Sequence, residues 1–220
     1  MEGFTAFFKH PLTITGTQIS LPCPPYSTLL GMLSAISGRV VSPSETRIGF
    51  EFHCSSRDLE IEKTDRLALN KGTLSPHREG QGILRRYIYF NPKLDLYITN
   101  LDLEEAFHSP ASTPSLGRSQ DIAWITNVEK VRLTGTSSGN IGPTLIPSIE
   151  MTIPSLLVRS PEWFDNDVEG RTRIAGPFGF YQAILPTIHE RYPVTIRNLY
   201  HPSNMKEPMD VIYLHEWLQQ

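Results

Sequence analysis

Apolar residues recur along this chain at two spacings. Phe4, Ala6 and Phe8 alternate within Gly3 to His10, the two-residue period of a strand with one buried face, and Pro11 ends the run. The period then lengthens: Leu29, Leu33, Ile36 and Val40 recur at helical spacing, predicting a helix from Ser27 to Gly38. Pro22, Pro24 and Pro25 hold the approach extended, Ser27 or Thr28 is placed to cap the first free N–H groups, and Gly38 suits a left-handed stop. Alternation returns in Arg47 to Ser55, where Ile48, Phe50, Phe52 and Cys54 oppose Arg47, Gly49, Glu51 and His53, a strand with one buried face. Ile83 to Tyr89 and Leu94 to Thr99 are aromatic and β-branched runs about Asn91-Pro92, a hairpin or a closely linked strand pair. Leu103 to Phe107 reads as a short helix with Asp102 near its start. Ile122 to Ile125 continues that helix or opens a turn, and Val128 to Leu133 alternates like a further strand.

Strand, helix, strand, strand, helix, strand is the order of the ferredoxin-like domain, shared with the RNA recognition motif, so the fold class expected is α+β. That topology hosts many functions and selects none. Arg57 to Gln81 is a polar excursion too long for an ordinary hairpin loop: either a surface loop or a projecting hairpin that reaches a partner. Beyond Gly135 the chain turns Ser-, Gly- and Pro-rich as far as Pro147, and Ile149 to Val158 and Ile184 to Asn198 supply more strand-like pieces. The expected organisation is a ferredoxin-like domain over 1–135, with the excursion inserted at about 57–81, and a β-rich extension over 136–220 packed on it.

Composition narrows the class. With 39% hydrophobic and 20% charged residues the chain is ordinary for a globular protein, while 18 prolines imply many connections and few long helices. A formal net charge of −3 argues against free-standing, non-specific nucleic-acid binding but leaves room for a local basic track. Cys23 and Cys54 lack the spacing of a zinc site or a disulfide framework, and their expected role is as small buried side chains in a reduced, cytoplasmic protein. The most apolar stretch, Leu29 to Ile36, is too short to span a bilayer, and no signal peptide is read at the amino terminus. No metal and no cofactor is expected.

Three segments carry a resemblance: Pro24-Pro-Tyr-Ser-Thr-Leu-Leu-Gly-Met-Leu, Arg85-Arg-Tyr-Ile-Tyr-Phe-Asn-Pro-Lys-Leu-Asp-Leu-Tyr-Ile, and Leu116-Gly-Arg-Ser-Gln-Asp-Ile-Ala. Together, in this order, they resemble the fifth family of CRISPR-associated proteins over roughly the first 130 residues, most nearly the subtype I-B group. The resemblance implies a subunit of a type I Cascade complex that holds the 5′ handle of the guide RNA (crRNA). The Arg57 to Gln81 excursion would be its thumb, capping a nucleotide at the start of the guide. Implied partners are the crRNA handle, the Cascade backbone subunit, the large subunit and, through the complex, target DNA; no membrane is implied. Base pairing then reads the target while the protein fixes the end of the RNA.

An RNA handle presents phosphates, 2′-hydroxyls and unstacked bases, so its grip calls for cations, helix-end N–H groups and aromatic faces. The candidates are Lys9 and His10 ending the first strand, Tyr26 for stacking with Ser27 and Thr28 for a phosphate, Arg85 and Arg86, Arg118 with Ser119, and Arg171 with Arg173 before a glycine-rich turn. Each has a plainer role: Tyr26 packs and the hydroxyls cap, Arg118 pairs with Asp121, and Phe178, Phe180 and Tyr181 of that turn are core aromatics. Arg85 and Arg86, being adjacent on a strand, point to opposite faces, so one of them faces RNA. Arg118 is the first choice, because Gly117 admits a close backbone approach. On the thumb the cations are Lys63, Arg66, Lys71, His77 and Arg78.

Some members of the family cut precursor guide RNA without metal, using a tyrosine, a lysine and a histidine, which would correspond to a set such as Lys9, His10 and Tyr26. These do not align with the catalytic pattern, and His189-Glu190 and His215-Glu216 are isolated pairs. The expectation is therefore a non-catalytic subunit; the alternatives are a metal-independent endoribonuclease and a purely structural assembly protein.

Overall fold

The computed structural model describes residues 1–10, 17–148, 153–165, 173–186 and 190–218, the side chains of Arg78 and Glu79 aside. The first antiparallel sheet has the order Ile48–His53, Lys93–Ile98, Glu2–Gly3, Ala123–Trp124. The helix Tyr26–Ser37 lies in the chain between its first and second strands, and the short helix Glu104–His108 between its third and fourth. Closure of this sheet corrects one expectation: Ala123–Trp124, placed in a helix or turn by sequence, is the fourth strand, whereas Val128 to Val131 is irregular. Asn100 caps the 3-10 turn Leu101–Leu103 that leads into the second helix, its side chain accepting from the Asp102 N–H at 3.0 Å.

Between the second and third strands of that sheet the chain leaves as one long hairpin. Ser56–Asn70 and Thr73–Phe90 pair antiparallel about Lys71 and Gly72, both at positive φ (48° and 83°), the geometry of a two-residue hairpin turn. At about 3.4 Å per residue a 15-residue strand reaches roughly 50 Å, so the polar excursion is a projecting hairpin. Its base is held by Thr5–Ala6, antiparallel to Phe90 and Tyr89, and by Thr17–Gln18, parallel to Arg85 and Arg86. Ile83 to Tyr89 therefore does not pair with Lys93–Ile98; Asn91 at positive φ joins strands of two different sheets.

The remaining chain is β-structure wrapped on the first sheet. Leu145–Pro147, Phe178–Ile184 and Ser155–Pro161 form one antiparallel sheet, while Leu133–Ile141, Tyr192–Pro202 and Asp210–Tyr213 pair in a ring. Leu133–Ile141 is thus a strand where composition reads as loop. These pieces cover the free edge of Ile48–His53, with the His215 N–H donating to the Ile48 carbonyl at 2.8 Å and the Phe52 N–H to that of Pro143 at 2.9 Å. An edge so paired offers no template for unwanted strand addition. The same covering buries the face predicted to be polar. Glu51 is 5% exposed and accepts two bonds from Arg191, at 2.6 and 3.2 Å, and burial of its carboxylate is tolerated because of that pairing.

Candidate functional site

The proline-led helix departs from expectation at its start. Pro25, extended at φ −67° and ψ 152°, is the N-cap; the helix opens at Tyr26, and no side chain caps it. Ser27 is buried and Thr28 half-buried. Tyr26, 1% exposed, lies in the core, its hydroxyl donating to the Leu145 carbonyl at 2.7 Å and its ring stacked 3.9 Å from that of His215. Burial pushes its hydroxyl well above the ordinary phenol range. Tyr26 is thus a core side chain, not one presented to a base or to a reactive set with Lys9 and His10, and Ser27 is buried beside it. At the other end Gly38 is left-handed and stops the helix as predicted, leaving Val40 beyond it and exposed. His215 pairs with buried Glu162 at 2.5 Å, not with its neighbour Glu216.

Arg118 takes the plainer of its two roles. Its Nε and Nη2 each donate to Asp121 at 2.8 Å and its Nη1 to Glu60 at 2.6 Å. Asp121, fully buried, also accepts from the Thr5 hydroxyl at 2.7 Å and the Arg118 N–H at 3.1 Å. Hydrogen bonds donated to the Asp121 carboxylate hold the Arg118 guanidinium above its ordinary range. Gly117, at φ +117°, does admit a close approach, but of the protein's own backbone: a Cβ there would land on the Phe7 carbonyl. Arg86, 5% exposed, pairs with Glu60 at 3.2 Å and with Glu62. Arg86 and Arg118 both stand over the Phe7 ring, at 5.2 and 5.5 Å. The two arginines are therefore structural, bound to the acids on one side of the hairpin.

Strand alternation sorts the charges of that hairpin. Residues directly opposite share a face, and the register pairs Arg57 with Tyr89, Leu59 with Tyr87, Ile61 with Arg85 and Lys63 with Ile83 on one side. Asp58, Glu60, Glu62 and Arg86 lie on the other. Arg85 is exposed where its neighbour Arg86 is buried, as adjacency predicts. The Arg57 guanidinium stands 4.3 Å from the centre of the Tyr87 ring, itself 41% exposed. Arg57 and Tyr87 were not among the sequence candidates, although the alternation of Arg85, Tyr87 and Tyr89 contains the signal. Buried Tyr89 is the floor of this face, its hydroxyl donating to the Leu21 carbonyl at 3.0 Å.

The other candidates are spread out. Lys9 is exposed at the end of the first strand, bridged to Ser20; the half-buried His10 donates its N–H to the Ile19 carbonyl at 2.9 Å; Ser119 is exposed beside Arg118. Along the hairpin Lys63 pairs with Asp65 at 3.7 Å, Arg66 and His77 are exposed, and Lys71 occupies the turn. The Arg78 side chain and Arg171 lie outside the described residues. Arg173 is exposed, 4.3 Å from the Phe164 ring. Of the aromatics in its turn, Tyr181 is core, but Phe178 and Phe180 are 38% and 57% exposed, which corrects their assignment to the interior.

No protein-family model matches this chain, and no curated protein does. Among solved structures, a chain described as "CRISPR RNA-guided surveillance complex" is similar over 94% of this chain and 90% of its own, at 15% identity and a TM-score of 0.46. At those values the likeness decides neither fold nor function. Among the described residues no three His, Cys, Asp or Glu side chains converge as a metal site, and no helix is long and apolar enough to cross a membrane.

Proposed function

We propose that this chain is a non-catalytic subunit of a type I CRISPR Cascade complex that holds the 5′ handle of the guide RNA and bridges the backbone and large subunits. The observation that carries the proposal is the hairpin Ser56 to Phe90, whose one face gathers Arg57, Arg85 and Tyr87, with Lys63 paired to Asp65 further out, and leaves Asp58, Glu60 and Glu62 on the reverse. Cations beside an exposed ring suit a single-stranded RNA, the cations taking phosphates and the ring a base. The sheet order and the two helices support the ferredoxin-like reading, and the departure of the hairpin between the second and third strands supports its role as thumb. Burial of Tyr26 favours the non-catalytic reading over the endoribonuclease by removing the tyrosine of the proposed set.

The test is binding of labelled repeat RNA to the purified chain across a salt series. Substituting alanine for both Arg57 and Arg85 is expected to weaken binding and to flatten the dependence of log K on log salt by about 1.4, at about 0.7 for each phosphate no longer neutralised. Unchanged affinity and slope would remove this face from consideration. The same RNA incubated with the chain in EDTA addresses catalysis: site-specific cleavage, abolished by His10→Ala, overturns the non-catalytic assignment.

A further inference from the structure

A second surface has the same chemistry and owes nothing to the hairpin. Phe178–Ile184 is the centre strand of the carboxy-terminal sheet, and Phe178 and Phe180 share its outer face while Gly179 and Tyr181 turn inward. On the adjoining strand Arg159 lies opposite Phe180, and Leu157, 67% exposed, lies opposite Gln182. The Arg159 guanidinium is 4.4 Å from the centre of the Phe178 ring and 5.9 Å from that of Phe180. Among the described residues it makes no ion pair. Beyond Pro161 and Phe178 the two strands pair again as Phe164–Asp165 with Ile174–Ala175, where Arg173 stands over Phe164.

Two large exposed rings on a sheet face are costly to leave in water, and their spacing is specific. Residues two apart on a strand are about 7 Å apart, which suits successive unstacked bases of an extended single strand. An arginine over the pair steadies the rings and offers donors to the phosphate between two bases. Alternate aromatics with a cation between them match the recurring solution to single-stranded nucleic acid. We infer that the face formed by Phe178, Phe180 and Arg159 is a second binding site, for single-stranded nucleic acid, taking two adjacent bases and their phosphate.

Fluorescence anisotropy of the full chain with a labelled oligouridine, an oligothymidine of equal length and a duplex tests this site. Binding of the single strands but not of the duplex is expected, weakened roughly tenfold or more by F178A/F180A. F178L/F180L, which keeps apolar area and loses the π faces, is expected to lose binding equally. The substituted positions are exposed, and matching thermal midpoints will show that both variants fold. Preference for oligouridine identifies RNA as the ligand and preference for oligothymidine a DNA strand; either upholds the site. Duplex binding as tight as single-strand binding overturns it, as does affinity unmoved by F178A/F180A or retained in F178L/F180L. Self-association that F178A/F180A abolishes, without oligonucleotide binding, would assign the face to a second copy of the chain instead. In the variant lacking Arg57 and Arg85 this binding should persist, so the two surfaces fail separately; loss there with full binding in F178A/F180A would leave the hairpin as the only site.

Discussion

Replacing Arg118 with alanine should destabilise the fold, because the side chain closes a buried charge network and does not face a ligand. Asp121 is fully buried and would lose two bonds of 2.8 Å, while Glu60 would lose one of 2.6 Å. Breaking a buried pair from one side costs about 3–5 kcal/mol, since the partner's charge is left in the interior. Asp121 keeps the Thr5 hydroxyl and one backbone N–H, and the Arg118 side chain is itself 13% exposed. Both moderate the loss, so the lower end of the range, about 3 kcal/mol, is expected. For a chain of this size that lowers the melting temperature by roughly 6–12 °C.

Chemical and thermal unfolding at neutral pH measures the cost, with RNA binding recorded in parallel below the transition. Adding Asp121→Asn to Arg118→Ala should recover part of the stability, because a neutral amide needs no counter-charge; two independent losses would simply add. A variant within about 0.5 kcal/mol of the parent that has nevertheless lost RNA binding would refute the structural assignment and return Arg118 to the RNA surface.

Glu51 makes stability sensitive to acid. Burial alone would raise its carboxyl, but the bonds from His53 and Arg191 outweigh burial and hold it below its ordinary 4.5 in the folded chain. A depressed carboxyl contributes stability that is fully present above the unfolded value and lost as pH falls through the folded one. Unfolding free energy should therefore drop on acidification below about pH 4.5, and Glu51→Gln should be less stable at neutral pH with a flatter acid limb; parallel curves would contradict the pairing. Gly117→Ala combines a disfavoured φ with collision at the Phe7 carbonyl and should cost about 2–4 kcal/mol or prevent folding. A melting temperature equal to the parent's would show that the loop can move aside.

Local order was legible in the sequence wherever one strand or helix decides it. Alternation separated Arg85 from Arg86, and Gly38 marked the end of the first helix. The errors arose where distant chain intervenes. Tyr26 is buried because His215 stacks on it, and Glu51 because Arg191 reaches it, and neither partner has any local signal near those positions. Gly117 marks a close approach, but sequence does not say what approaches; it is Phe7. The exposure of Phe178 and Phe180 follows from alternation with Gly179 and Tyr181, against the general tendency of aromatic residues to be buried.

A net charge of −3 gives no measure of what a nucleic acid would meet on this surface. On the hairpin Asp58, Glu60 and Glu62 alternate with Arg57, Leu59, Ile61 and Lys63, so the two-residue period of the strand carries those three acids to the face of Arg86 and leaves Arg57 and Arg85 on the other, where Asp65 is paired with Lys63. Glu60 and Glu62 are then bound to Arg86 and Arg118, and their charge is compensated there. Within a Debye length of about 8 Å at physiological salt, a phosphate on the Arg57 and Arg85 face is governed by those cations more than by the chain's total charge. An acidic protein with a cationic sheet face follows from strand periodicity alone. Moving a single acid across that period, as in Ile61→Glu opposite Arg85, should abolish RNA binding at this face while adding only one negative charge to the chain. Removing one negative charge from an exposed position elsewhere, such as Glu207, should leave it unchanged. Equal and opposite effects of the two substitutions would mean that total charge, not its sorting, decides binding.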